Sequence, residues 1–243
     1  MTAGATVLVT RAREDCAPLE ALLRERGLRP IALPCIELQT LDAHVPADVD
    51  FVVVASPHAA RLLAPHLPRL SHARFAAVGA GTAECLPLPG VIVPASGTGA
   101  DALVAALGPL VRGKRVLLPR AEQGNPALPA QLQALGAEVV PVALYRTVTA
   151  GAADPAVLAE LHAGRIDAIS FASGSAARGF VALATAQAAA RSVVVCMGAL
   201  CASEARRAGL RVDGESGGGL AELAGFVARA LAGRPAAGDA HRE

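Results

Sequence analysis

Short runs of consecutive apolar, mostly β-branched residues alternate along this chain with longer stretches in which leucine and alanine recur every three or four positions. The apolar runs predict strands at residues 6–10, 29–33, 51–55, 74–78, 91–93, 115–118, 138–144, 168–172, 193–197 and 210–213. Unbroken apolar runs, as opposed to strict apolar–polar alternation, mark strands covered on both faces, the habit of parallel sheets. Helical patterns lie between them, with readable ends. Asn125 is placed as an N-cap with Pro126 at the first helical position, Leu128, Leu132 and Leu135 form the apolar stripe, and Gly136 ends it. Ser56-Pro57 opens a second helix in the same way. Leu220, Leu223, Val227 and Leu231 stripe the last one, which Gly233 stops. Regular alternation of strand and helix predicts an α/β fold with parallel sheets.

The pattern repeats. VLVTRA from Val7 matches VLLPRA from Val116, and the same displacement of 109 residues carries Arg11 onto Arg120, Leu19 onto Leu128 and Gly27 onto Gly136. ASPHAAR from Ala55 matches ASGSAAR from Ala172, VGAGTA from Val78 matches MGALCA from Met197, and SGTGADAL from Ser96 matches SGGGLAEL from Ser216. The order is kept and the displacement drifts only between elements, where loops tolerate insertion. The chain therefore reads as an internal duplication of one βα array. Two proline-flanked extended segments, at 34–40 and 141–148, follow equivalent units of the two copies and read as strands. If both cross between lobes and pair as a two-stranded β-ladder hinge, lobe 1 is discontinuous (1–36 and 148–243) and lobe 2 is residues 38–144. The polar, unpatterned stretch 234–243 is expected to fray.

Composition narrows the function classes. Hydrophobic residues make up 53% and charged residues 18% of the 243 positions, enough for packed cores. A net charge of +1 and an aromatic content of 2% argue against nucleic acid and anionic membrane as partners. Five cysteines without CxxC spacing predict small buried hydrophobes in a reducing compartment. Six scattered histidines offer no metal-ligand spacing. With no signal-like or bilayer-spanning apolar stretch, a cytoplasmic protein is expected. Lys114 is the only lysine, so cationic recognition falls to arginine.

Ligands of open parallel sheets bind beyond the carboxyl ends of the strands, near helix N-termini. Arg11, Ser56, Thr82, Ser96, Gly97, Arg120, Ser173, Gly174 and Ser175 are placed there by the predicted elements. Each also has a plain structural reading: caps for the hydroxyls, tight turns for the glycines, surface ion pairs for the arginines. Their coincidence at one end of both sheets favours ligand contact. Tyr145, the only tyrosine, sits in the second crossing segment. It reads either as packing with a satisfied hydroxyl or as a neutral proton donor facing a cleft. Gly79-Ala80-Gly81 begins like a dinucleotide turn but has Glu84 where the third glycine belongs.

The ordered set VLVTRA, FVVVASPHAA, AAVGAGTAECL, PASGTGADAL, VALYRTV, AISFASGSAA and VVCMGALCASEARRAGL resembles the uroporphyrinogen-III synthase family across nearly the whole chain. The resemblance implies two α/β lobes joined by a β-ladder, no metal or organic cofactor, and a linear tetrapyrrole substrate, hydroxymethylbilane, which is closed with inversion of ring D and loss of water. It also implies Tyr145 as the group assisting hydroxyl departure, with Ser56, Thr82, Ser173 and Cys201 at substrate-contacting positions. A monomer without nucleic-acid or membrane partners is expected. The chain departs from the family pattern at Leu200-Cys201, where Thr-Thr is frequent, and at Ala55 and Ala172, where threonine is common. Two other readings compete: a non-catalytic bilobed small-molecule-binding or sensor module, and a nucleotide-dependent enzyme using the Gly79 turn.

Overall fold

The computed structural model describes residues 4–96 and 99–233, so Gly97, Thr98 and the stretch 234–243 lie outside the described residues. Strands follow in chain order as β1 (Thr6–Val9), β2 (Arg29–Ala32), β3 (Ile36–Thr40), β4 (Phe51–Val54), β5 (Arg74–Ala77), β6 (Arg115–Ala121), β7 (Glu138–Thr149), β8 (Ala168–Phe171), β9 (Val193–Met197) and β10 (Gly214–Ser216). The α-helices are α1 (Cys16–Arg24), α2 (Pro57–Leu63), α3 (Ala80–Ala83), α4 (Ala100–Leu107), α5 (Ala127–Ala134), α6 (Pro155–His162), α7 (Gly174–Ala184), α8 (Gly198–Arg207) and α9 (Leu220–Ala232). None of the described helices is long and apolar enough to cross a membrane. The chain divides into two compact units: residues 38–147 form one, and the stretches before and after them form the other.

The discontinuous unit has a five-stranded sheet in the order β10-β9-β8-β1-β2, every neighbouring pair parallel. Val7 and Val9 pack on one face with Leu19 and Leu23 of α1 and Leu223, Val227 and Leu231 of α9. The continuous unit has the order β3-β7-β6-β4-β5, with the β7-β6, β6-β4 and β4-β5 pairs parallel. Its strand β4 shows why the apolar runs are unbroken. Val52 and Val54 enter one core with Ala59, Ala60 and Leu63 of α2, while Phe51 and Val53 enter another with Leu103 and Leu107 of α4 and Leu128 and Leu132 of α5. All four residues of β4 are buried because helices cover both faces.

The duplication is visible in the strand orders. The series β2-β1-β8-β9-β10 of one sheet corresponds to β7-β6-β4-β5 of the other, the last place being reduced to a single bridge between Ala76 and Ile92. Each sheet thus takes its first two strands from one copy and the remainder from the other.

Register is held by equivalent aspartates. Asp50, just before β4, accepts from the backbone N–H of Arg115 at 2.9 Å through its side chain, donates its own N–H to Arg115 O at 2.9 Å, and accepts from Arg74 N at 2.9 Å through its carbonyl. Asp167, just before β8, does the same with Thr6 N (2.7 Å), Thr6 O (2.9 Å) and Val193 N (2.8 Å). The first N–H of β6 and of β1 would otherwise be left without a ladder partner.

Four details differ from the sequence expectations. Helix α5 starts at Ala127 with Pro126 at the cap position and Leu135 just past its end, while Asn125 Oδ1 accepts from the Ala127 N–H at 2.9 Å. Residues 91–93 form one bridge instead of a strand. The edge strand expected at 210–213 lies at Gly214–Ser216, because Asp213 is used to cap the N–H of Val194 at 2.8 Å. Strand β6 runs on through Arg120 to Ala121; its pairing to β4 stops at Leu117, so Pro119 removes no bond on that side.

The hydrogen bond from the Arg115 N–H, aided by Lys114, holds the Asp50 carboxyl below its ordinary value of 3.8. A depressed carboxylate contributes stability that is present above its unfolded value and lost as pH falls through the folded one. The urea midpoint of Asp50→Asn is therefore expected to lie below wild type at neutral pH, with the difference closing as pH is lowered below 3.8. A difference independent of pH would mean that shape, not charge, holds this register.

Candidate functional site

A cavity of about 280 Å³ opens in the continuous unit at the carboxyl ends of β4 and β6. Its apolar wall includes Val78, Ala100, Leu118 and Leu128, and its polar groups are Ser56, Arg120, Asn125 and Tyr145. Three residues singled out in the sequence, Ser56, Arg120 and Tyr145, thus meet in one place.

Each is positioned by a backbone feature. Ser56, two residues beyond β4, keeps an extended conformation (φ −153°, ψ 148°) and caps α2, its Oγ accepting from the Ala59 N–H at 3.1 Å. Tyr145 lies in β7, where a shift of register between Arg120 and Ala121 sets Ala121 opposite Tyr145. Such irregularities turn side chains away from the direction that strict alternation dictates. The Glu122 N–H donates to Tyr145 O at 2.7 Å and anchors the turn beyond. The Tyr145 hydroxyl then stands 3.1 Å from Ser56 Oγ. The Tyr145 ring is buried, and the His58 ring meets it edge-on, 4.6 Å between centroids at 74°. Arg120 Nε donates to Ala121 O at 3.3 Å, and the guanidinium rests against Gly124.

The remaining predicted residues are placed as follows. Thr82 is buried within the four-residue α3, which begins at the Gly79 turn. Ser96 is exposed, and Gly97 lies outside the described residues. In the discontinuous unit Arg11 pairs with Asp15 at 3.6 Å. Ser173 repeats the geometry of Ser56 (φ −156°, ψ 154°), accepting from the Ala176 N–H at 3.2 Å. A side chain on Gly174 would meet Glu204 Cβ at 2.5 Å, so glycine admits α8 here. Ser175 Oγ lies 3.5 Å from Arg178 Nη2.

Cys201 is buried and its thiol donates to Phe171 O at 3.5 Å, so its sulfur is engaged with the β8 backbone. A hydrogen bond from Cys196 pulls the pKa of the Cys201 thiol below its ordinary value. Burial pushes the Cys16 thiol up to about 11 and that of Cys35 to about 12. Both stay protonated and serve as small hydrophobes.

His58 and Gly124 were not picked out from the sequence. His58 hides in the apolar ASPHAAR motif, at the position that Ser175 fills in the second copy. Gly124 reads as turn punctuation.

Comparison with known proteins agrees with this architecture. Residues 17–217 match the family model described as Uroporphyrinogen-III synthase HemD. The chain belongs to the uroporphyrinogen-III synthase family. A uroporphyrinogen-III synthase of Synechococcus elongatus is 30% identical over 198 residues, 74% of this chain and 75% of that protein. One of Chlorobaculum parvum is 26% identical over 224 residues, 86% of this chain and 91% of the relative. Among solved structures, the uroporphyrinogen-III synthetase of Helicobacter pylori aligns with a TM-score of 0.60 at 16% identity, covering 94% of this chain and 98% of its own. A mutant Thermus thermophilus uroporphyrinogen III synthase aligns at 0.54 and 20% identity, covering 95% and 100%. At such identities the structural matches speak for the fold alone.

Tyr145 is the only tyrosine and there is no tryptophan, so its near-ultraviolet circular dichroism can be read without subtraction. His58→Ala is expected to weaken that signal and to cost about 1 kcal/mol more stability than His58→Phe, which keeps the edge-on contact. An undiminished tyrosine signal in His58→Ala would mean that Ser56 and the backbone alone fix the ring.

Proposed function

We propose that this chain closes hydroxymethylbilane into uroporphyrinogen III, inverting ring D and releasing one water. The observation that carries the reading is the Ser56–Tyr145 hydroxyl pair, 3.1 Å apart in the lining of a cavity that Arg120 also lines, in a chain of this family.

The roles follow from donor and acceptor capacity. Ser56 Oγ already accepts the Ala59 N–H, so its proton is available to the Tyr145 oxygen. In that arrangement the phenol O–H points outward and donates to the hydroxymethyl oxygen of the substrate. As the carbon–oxygen bond breaks, the lone pair of the pyrrole nitrogen fills in to leave an azafulvene, and the departing oxygen leaves as water. The substituted carbon of ring D attacks the azafulvene carbon to give a spiro intermediate. Fragmentation and reclosure at the alternative carbon, with loss of a proton, complete the inverted macrocycle. The net change is loss of H₂O, without oxidant, reductant, metal or organic cofactor.

Linear tetrapyrroles close readily, so the work left to the protein is to hold one conformation of a polycarboxylate chain. Arginine forks and backbone donors at turns suit that task. Ser56 and Arg120 are assigned to it in the continuous unit, with Thr82, Ser96 and Gly97, which lie between them in sequence, assigned alongside. Arg11, Ser173, Gly174, Ser175 and Cys201 are the counterparts assigned in the other unit. Strands β3 and β7 cross the two boundaries between units and are assigned as the hinge. The reading places a monomeric enzyme in the cytoplasm.

The test is a coupled assay in which hydroxymethylbilane is generated in situ and the oxidised products are separated into type I and type III isomers. Type III in excess of a protein-free control is expected, with Tyr145→Phe lowering kcat by roughly 10²-fold. Type I alone from folded protein would overturn the reading.

A further inference from the structure

The duplication sets an arginine at one point of both copies, Arg11 and Arg120, and the two have opposite surroundings. Four residues further on, the same displacement aligns Asp15 with Gly124. In the discontinuous unit Arg11 Nη2 lies 3.6 Å from Asp15 Oδ2, so its charge is answered within the protein. In the continuous unit Arg120 makes no ion pair among the described residues, and its one described hydrogen bond goes to its neighbour's carbonyl, Ala121 O.

Gly124 gives this arginine its place as well as leaving it uncompensated. A Cβ there would fall 2.6 Å from both Nε and Nη2 of Arg120 and 2.9 Å from Cζ, so the guanidinium lies against bare backbone. The φ of Gly124 is not in the left-handed region, so other residues can adopt that backbone conformation. What glycine supplies is room for the guanidinium. The cavity beside it is otherwise largely apolar, which raises the demand of an unpaired cation for an anion.

We infer that Gly124 is a specificity-determining position: by withholding the acid that neutralises the equivalent arginine of the other copy, it makes Arg120 the receptor for one acetate or propionate carboxylate of the substrate. This rests on the function proposed above. Of the two duplicated arginines, only the one that shares a cavity with Ser56 and Tyr145 is left open to a ligand. A carboxylate forked on Arg120 orients its pyrrole ring relative to the Tyr145 hydroxyl.

Gly124→Asp and Gly124→Asn separate charge from bulk, since both displace the guanidinium and only aspartate neutralises it. Two readouts are taken, the KM for hydroxymethylbilane and the affinity for uroporphyrin III, a stable octacarboxylate, followed by quenching of the single tyrosine. Unchanged far-ultraviolet circular dichroism establishes that both variants fold. The aspartate variant is expected to raise KM and to weaken uroporphyrin III binding about tenfold or more relative to the asparagine variant, with kcat changed far less. Equal behaviour of the two variants in both readouts would overturn the inference. Should wild-type protein bind uroporphyrin III in this charge-dependent way yet form no type III isomer, the proposed reaction fails while the carboxylate site stands.

Discussion

Every buried backbone N–H in a short parallel strand needs an acceptor, and the ladder leaves the first one of a strand without any. This chain meets that need with aspartates set one residue before a central strand. Asp50 and Asp167 each tie two neighbouring strands to their own by three hydrogen bonds, one through the side chain and two through the backbone. Strands of four residues have little register information in their apolar side chains, since Val52, Val53 and Val54 are nearly interchangeable and all buried. A polar clamp at the start supplies what the apolar positions lack. The geometry at the opposite end of the sheet follows, because Ser56 comes two residues after β4 and Tyr145 lies on β7, two strands away.

Fold class was legible because burial on both faces leaves a plain trace, an unbroken apolar run, and because the duplication showed each element twice. The elements that were misplaced are those without that trace. β10 is Gly-Glu-Ser at a sheet edge, with no apolar run to mark it, while the apolar Leu210 nearby is buried outside any strand. Ile92 supplies one bridge where the other sheet has a strand.

The individual members of the site were legible as polar residues at strand ends, but their meeting was not. Ser56 and Tyr145 are 89 residues apart and come together through strand order and a local shift of register, neither of which has a sequence signature. His58 and Gly124 act through contacts, a ring edge and an absent side chain, that composition does not announce. The alignment of the two copies did contain one usable signal, the exchange of Asp15 for Gly124 beneath a retained arginine. Duplicated folds are informative at such places: where packing is shared, a difference between copies isolates what one of them does alone.

The interleaving of the copies has a consequence for the order in which the chain folds during synthesis. The continuous unit has all its strands once β7 is made, whereas β1, with its fully buried Val7 and Val9, lacks its neighbour β8 until residues 168–171 emerge. The N-terminal βαβ segment must therefore wait, with one strand edge and part of an apolar face uncovered, while the unit encoded after it closes first. Uncovered apolar surface and an unpaired strand edge are what make partly folded chains prone to aggregate, and the length of this interval is set by the position of β8 in the sequence.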